Sequence, residues 1–216
     1  MKKIQILVSI IFFPLLMSIF YGGCGGDGGG NGGNGGDNLT PTCFDRAVFG
    51  DPSESEYVLP YPAGEQYEII QSYCYQENSH YNSLAYDFLM PMGSDIVAAR
   101  AGIVLEIRDD LPDMDLQDPS MHNHIFIEHE DGTIAFYGHL QQWGLAVHEG
   151  EAVDAGQYIA ASGSSGVSIP LLHFGVFPEW PPVDGNDIAI NFNNADGPLD
   201  SNNGLIAGES YLALPF

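Results

Sequence analysis

The chain has 216 residues, with 29 Asp and Glu against 5 Lys and Arg, for a formal net charge of -24. That length suits one domain with a leader and a linker and is short for two domains. A hydrophobic content of 44% allows a packed core. So acidic a surface repels nucleic acid and anionic lipid head groups, which excludes nucleic acid as an expected partner.

The N-terminus reads as an export signal. Lys2 and Lys3 form a short positive start, and residues 4–20 are apolar apart from Gln5, Ser9, Pro14 and Ser18. Tyr21-Gly22-Gly23-Cys24 follows, so small residues precede a cut site. Cys24 directly after two glycines resembles the lipidated cysteine of a bacterial lipoprotein, although those signals usually carry Leu where Tyr21 stands. An ordinary signal peptide or an uncleaved anchor is the alternative, and each places the remainder outside the cytoplasm. Residues 25–38 are Gly, Asn and Asp, a composition that forms no core and acts as a tether with a reach of about 20 Å. The expected organisation is a lipoprotein signal over 1–23, the lipidated cysteine and linker over 24–42, and a folded domain over 43–216.

Beyond Lys2 and Lys3 the only basic residues are Arg46, Arg100 and Arg108. There are 3 cysteines, and once Cys24 takes the lipid, Cys43 and Cys74 remain as an even pair in an oxidising compartment. They are expected to form a disulfide closing the N-terminal segment onto the domain. A zinc role for them is disfavoured because there is no Cys-x-x-Cys.

From residue 45 on, short runs of alternating apolar and polar residues lie between Gly, Pro, Asn and Asp turns. Strands are expected at 67–71, 85–89, 96–99, 102–107, 123–129, 133–140, 157–161 and 172–177. Glu130-Asp131-Gly132 reads as a hairpin turn. Residues 109–122 read as an exposed acidic loop, and no segment offers an amphipathic helix of three turns. The fold class is therefore all-β, a strongly twisted antiparallel sheet.

The 7 histidines all fall in the folded part, and neutral imidazole is the commonest transition-metal ligand. Ser79-His80 precedes Ala85-Tyr86-Asp87-Phe88, and Met90-Pro91-Met92-Gly93 continues into Ile96-Val97-Ala98-Ala99. His129-Glu130-Asp131-Gly132, Tyr137-Gly138-His139-Leu140, Ser162-Gly163-Ser164-Ser165-Gly166 and Leu171-Leu172-His173-Phe174 come later. In order and spacing this succession resembles the lysostaphin/LytM-type zinc metalloendopeptidases, from Tyr57 to a C-terminal strand near 188–192.

The resemblance implies a groove over a twisted β-sheet of the duplicated hybrid motif type. It also implies a zinc ion (Zn2+) held by His80, Asp87 and His173, a non-ligand catalytic histidine at His139, and the peptide of peptidoglycan as substrate. Two imidazoles and a carboxylate leave a fourth position on zinc for water. His129 looks structural, and His122, His124 and His148 are expected at the surface.

One position departs from the family pattern. Leu171 stands where the family has the first histidine of His-x-His, and leucine cannot move a proton. Loss of a general acid or base costs about 10²–10⁴ in rate. Two readings follow. One is an envelope zinc endopeptidase anchored to the membrane by its lipid. The other is an impaired relative that binds peptidoglycan or regulates another wall hydrolase. The Ser-rich turn lacks the Gly-x-Ser-x-Gly spacing of a nucleophile elbow and reads as a turn closing the groove.

Overall fold

The computed structural model describes residues 42–75, 80–116, 118 and 121–216. The signal, Cys24 and the Gly-rich tether lie outside the described residues.

The folded part opens with a one-turn helix, α1 (Cys43–Arg46), and a 3-10 turn (Pro52–Glu54). Thr42 and Asp45 cap α1 reciprocally: the Thr42 hydroxyl accepts from the Asp45 amide, and the Asp45 carboxylate accepts from the Thr42 amide at 2.9 Å. The strands are β1 (Gln66–Gln71), β2 (Tyr86–Leu89), β3 (Asp95–Val97), β4 (Gly102–Arg108), β5 (His124–Glu128) and β6 (Ile134–Gly138). They continue as β7 (Leu140–Leu145), β8 (Ala152–Val153), β9 (Tyr158–Ser162), β10 (Leu172–Phe177), β11 (Ala195–Asp196) and β12 (Ser210–Ala213).

Nine strands form one sheet in the order β11-β12-β1-β2-β10-β6-β5-β4-β8, and β3-β9-β7 form a second. Their pairings are antiparallel. The molecule is the all-β, antiparallel type that the alternation indicates.

Alternation decides which face of the large sheet is covered. Leu172, Phe174 and Val176 of β10 are fully buried and join Ile69, Phe88 and Tyr137 in one apolar cluster with Ile96, Leu140 and Ile159 of the small sheet. The Tyr137 hydroxyl accepts from the Ala99 amide at 2.8 Å, so its burial leaves no orphaned oxygen. The odd residues of β10, led by His173, therefore lie on the opposite face.

Three elements differ from expectation. The strand read over 133–140 is broken at His139, whose φ is +63°, and the chain passes there from β6 in the large sheet to β7 in the small one. A continuous apolar run hides such a change of partner, because both halves are buried. The segment 188–192 is not a strand. Ile188 donates to Val176 O at 2.8 Å and Asn193 to Tyr57 O at 2.9 Å, while Ile190 and Phe192 fill the core, so the run is extended but follows no single neighbour. The last strand is instead β12, whose short Ser-Tyr-Leu-Ala sequence carries little signal but pairs with both β1 and β11.

Candidate active site

The site lies along one cross-strand row. Gln71 of β1 faces Asp87 of β2, Asp87 faces His173 of β10, His173 faces Gly138 of β6, and Gly138 faces His124 of β5. Directly opposed residues of antiparallel strands share a face. A run of short strands thus sets a carboxylate and two imidazoles on a rigid floor.

His80 reaches the same point from the loop before β2. Its ring is 1% exposed, and its Nδ1–H donates to Ser72 O at 3.2 Å, which turns Nε2 toward the floor. His80 Nε2 lies 3.1 Å from His173 Nδ1 and 3.3 Å from Asp87 Oδ1. His173 Nδ1 lies 2.8 Å from the same carboxylate oxygen. The second oxygen, Asp87 Oδ2, accepts from Gln71 Nε2 at 2.7 Å.

The loop that carries His80 is held from two sides. A disulfide joins Cys43 to Cys74, as the cysteine count leads one to expect, and the Cys74 amide donates to Ser83 O at 2.8 Å. Arg46 of α1 donates to Asn82 O at 2.6 Å and pairs with the buried Asp187, whose carboxylate also accepts from the Leu84 amide at 2.6 Å.

Charge is balanced inside the cluster. Burial alone would raise the Asp87 pKa, but contacts from His173 and His80 hold it well below the usual carboxylate range. Burial alone would lower the His80 pKa, and the Asp87 carboxylate turns the net shift upward.

His139 stands at the other end of the floor. Its left-handed backbone, uncommon for a residue with a side chain, sits where the strand changes sheets. Nδ1 bonds Ser165 O at 2.8 Å, so a neutral ring donates there and leaves Nε2 as an acceptor. Burial, reinforced by the neighbouring His173, pushes its pKa down to about 4. The ring is therefore neutral at physiological pH, with Nε2 able to accept a hydrogen bond.

The segment 109–122, expected to be an exposed acidic loop, is partly tied down among its described residues. Asp113 bridges Ser165, and its carboxylate accepts from the Ser164 amide at 2.8 Å and the Gln142 amide at 3.2 Å. The segment is thereby fastened to the Ser162–Gly166 turn beside His139. His148 is exposed, with Nδ1 2.7 Å from Glu151, but His122 and His124 are half-buried next to the site. His129 is buried and structural, its Nδ1 bonding Ala101 O at 2.8 Å. Trp143 is 69% exposed, whereas Trp180 packs its ring on Phe126. Leu171 is 4% exposed, lies outside the main apolar cluster and donates its amide to Gly163 O at 3.1 Å. Because β10 begins at Leu172, strand alternation does not extend to Leu171.

Residues 81–185 match peptidase family M23. Over that segment the chain resembles an M23 peptidase domain. Asp87, His139 and His173 fall inside the matched segment, and His80 immediately precedes it. The domain is 38% identical over 60 residues to the lipoprotein NlpD/LppB homolog of Pseudomonas aeruginosa, covering 28% of this chain and a fifth (20%) of that protein's length. Among solved structures, it is 25% identical to the catalytic domain of a mutant of the prophage-encoded M23 protein EnpA from Enterococcus faecalis. That match has a TM-score of 0.46 and covers 60% of this chain and 94% of that one. It is also 25% identical to the catalytic domain of the antimicrobial peptidase lysostaphin from Staphylococcus simulans, with a TM-score of 0.38 over 54% and 80% of the two chains.

Gln71 and His122 escape a sequence reading of the site. Gln71 is an ordinary strand residue until its register opposite Asp87 is known, and His122 lies in an acidic loop without a motif around it.

Proposed function

We propose that this M23 domain is a zinc endopeptidase of the bacterial cell envelope that cleaves peptide cross-links of peptidoglycan, with His80, Asp87 and His173 as the metal ligands. The observation that carries the reading is the convergence of these three side chains, whose ligand atoms all lie within 4.8 Å of one another.

The donor set fits zinc. Tetrahedral zinc with bonds near 2.0–2.1 Å keeps its ligand atoms about 3.4 Å apart, and the three contacts here span 2.8–3.3 Å. Asp87 supplies the negative charge that a cation needs in a buried site, and Gln71 fixes the direction of its carboxylate. When bound, zinc supplies a Lewis acid for the scissile carbonyl and acidifies a water to a pKa of about 7.

The chain's own residues supply the rest. His139, neutral and anchored by Ser165 O, accepts a proton from the attacking water or stabilises the oxyanion. The turn at Ser162–Gly166, fastened to residues 109–122 by Asp113, closes one side of the groove.

The signal over 1–23, lipidation of Cys24, the linker to residue 42 and a domain over 43–216 complete the proposal. They place the enzyme on a membrane, reaching nearby wall by its tether. A second reading is favoured by Leu171: a zinc-holding domain that binds peptidoglycan or regulates another hydrolase. Digestion of purified peptidoglycan by the zinc-loaded protein decides between them. Cross-link cleavage that falls by at least about 10³ in His173→Ala supports the enzyme, and no cleavage by the unaltered protein supports the regulator.

A further inference from the structure

The row that holds the ligand cluster has a gap. Gly138 stands next to His173 in the row but carries no side chain, and the imidazole of His122 covers it. A Cβ built on Gly138 would come within 3.4 Å of His122 Cδ2 and 3.0 Å of the Phe136 ring. Adjacent strands lie about 4.8 Å apart, so a ring over Gly138 is a lateral neighbour of His173.

The contacts of His122 agree with that placement. Its ring centroid is 4.7 Å from that of His139 and 5.5 Å from that of Phe136. Phe136 in turn touches His173, at 5.6 Å, and His139 is 6.1 Å from His173. His122 O accepts from His124 Nδ1 at 3.0 Å, and His124 Nε2 lies 3.3 Å from Glu106, so the backbone at His122 is held from below. On the other side, the amide of Asn123 donates to Ser165 Oγ at 2.9 Å, beside the carbonyl that orients His139. The loop is thus bound at the residue following His122, and the imidazole is presented to the groove face as part of the floor.

We propose that His122 is a catalytic residue of this site and supplies the second imidazole that Leu171 lacks. The inference rests on the metallopeptidase reading. In the hydrolysis, the oxygen of a water adds to the peptide carbonyl carbon and the carbon–nitrogen bond breaks with its electron pair moving to nitrogen. The nitrogen takes a proton from His122, and a proton released by the water restores His122, directly or through His139. One water is consumed, and a carboxyl group and an amine are formed. Two imidazoles in ring contact, one holding a proton and one ready to accept it, suit this exchange.

His122→Phe tests the role while keeping an aromatic ring over Gly138 and against His139. On peptidoglycan the variant is expected to lose about 10²–10⁴ in kcat with KM unchanged. Its zinc content should equal that of the unaltered protein. A second readout does not depend on turnover. In the zinc-loaded full chain, acetohydroxamate is added and the ring nitrogens of His122 are followed by nitrogen NMR. A change in the His122 resonances is expected, because a ligand seated on the metal places a polar group beside that ring. Zinc bound normally with full activity in His122→Phe overturns the inference alone, as do His122 resonances that ignore the hydroxamate. Failure of the unaltered protein to hold zinc overturns the metallopeptidase reading and this inference with it.

Discussion

The two ends of the cross-strand floor use the same side chain in opposite ways. At the proposed ligand end, His80 is fully buried beside a carboxylate that favours its charged form, and it is tied to Ser72 O. At the turn end, His139 is pushed toward neutrality by burial and by its neighbour His173, and it is tied to Ser165 O. The supports differ as well. His80 rides a loop clamped by a disulfide and by the Arg46–Asp187 pair. His139 sits at a change of sheets in a left-handed conformation, which costs about 1–3 kcal/mol for a residue with a side chain. The His80 end is thus charge-balanced by Asp87, and the turn end holds a neutral imidazole.

Removing the disulfide attacks that contrast most strongly. A closed loop with a sequence separation of 31 contributes about 3–4 kcal/mol in the chain-entropy model. Cys43→Ser/Cys74→Ser should lower unfolding stability by about that much, measured by denaturant titration, and should weaken zinc binding through the His80 loop. Equal zinc affinity in the double variant would show that the clamp is not needed to place His80.

Acid titration of the metal-free protein separates the two imidazoles. The unfolded chain protonates His139 near 6.5, but the folded protein resists until about 4. The unfolded state binds more protons in that window, so stability falls as pH drops from 6.5 to 4, by at most about 3 kcal/mol because part of the ring meets solvent. His80 has the opposite sign. Its folded pKa is raised, so its contribution is fully present below 6.5 and is lost as pH rises through the folded pKa. His139→Gln should flatten the acid limb and His80→Gln the alkaline one. A single variant flattening both would refute the division of roles.

The smallest effect concerns Gln71, which touches the ligand carboxylate at its far oxygen. Gln71→Ala should weaken zinc binding by about 10–100-fold, measured by competition with a chelator, while the fold persists. Gln71→Glu, with like charge against Asp87, should be worse than the alanine variant.

Much of this was legible before any coordinates. The pairing of Cys43 with Cys74 follows from counting, and each of the eight expected strands overlaps at least one observed strand, because short apolar runs between turn residues mark strands whether one face or both are buried. The resemblance to the lysostaphin/LytM-type peptidases marked Asp87 and His173, which the register of β2 and β10 sets opposite each other. What stayed hidden is long-range. Nothing local in Gln71 announces its partner on the next strand. The change of sheets at His139 lies inside a run that is apolar on both sides of the break. His122 gains its position from a glycine two strands away from Asp87, and β12 gains its place from β1, which lies far earlier in the chain.

The most direct test of the central claim is zinc content together with zinc-edge X-ray absorption on the purified protein, beside Asp87→Ala and His173→Ala. Equimolar zinc with a shell of two imidazoles and one carboxylate is expected in the unaltered protein, with loss of the metal in both variants. A folded, zinc-supplied protein that holds no zinc, or variants that bind it as well as the unaltered chain, would contradict it.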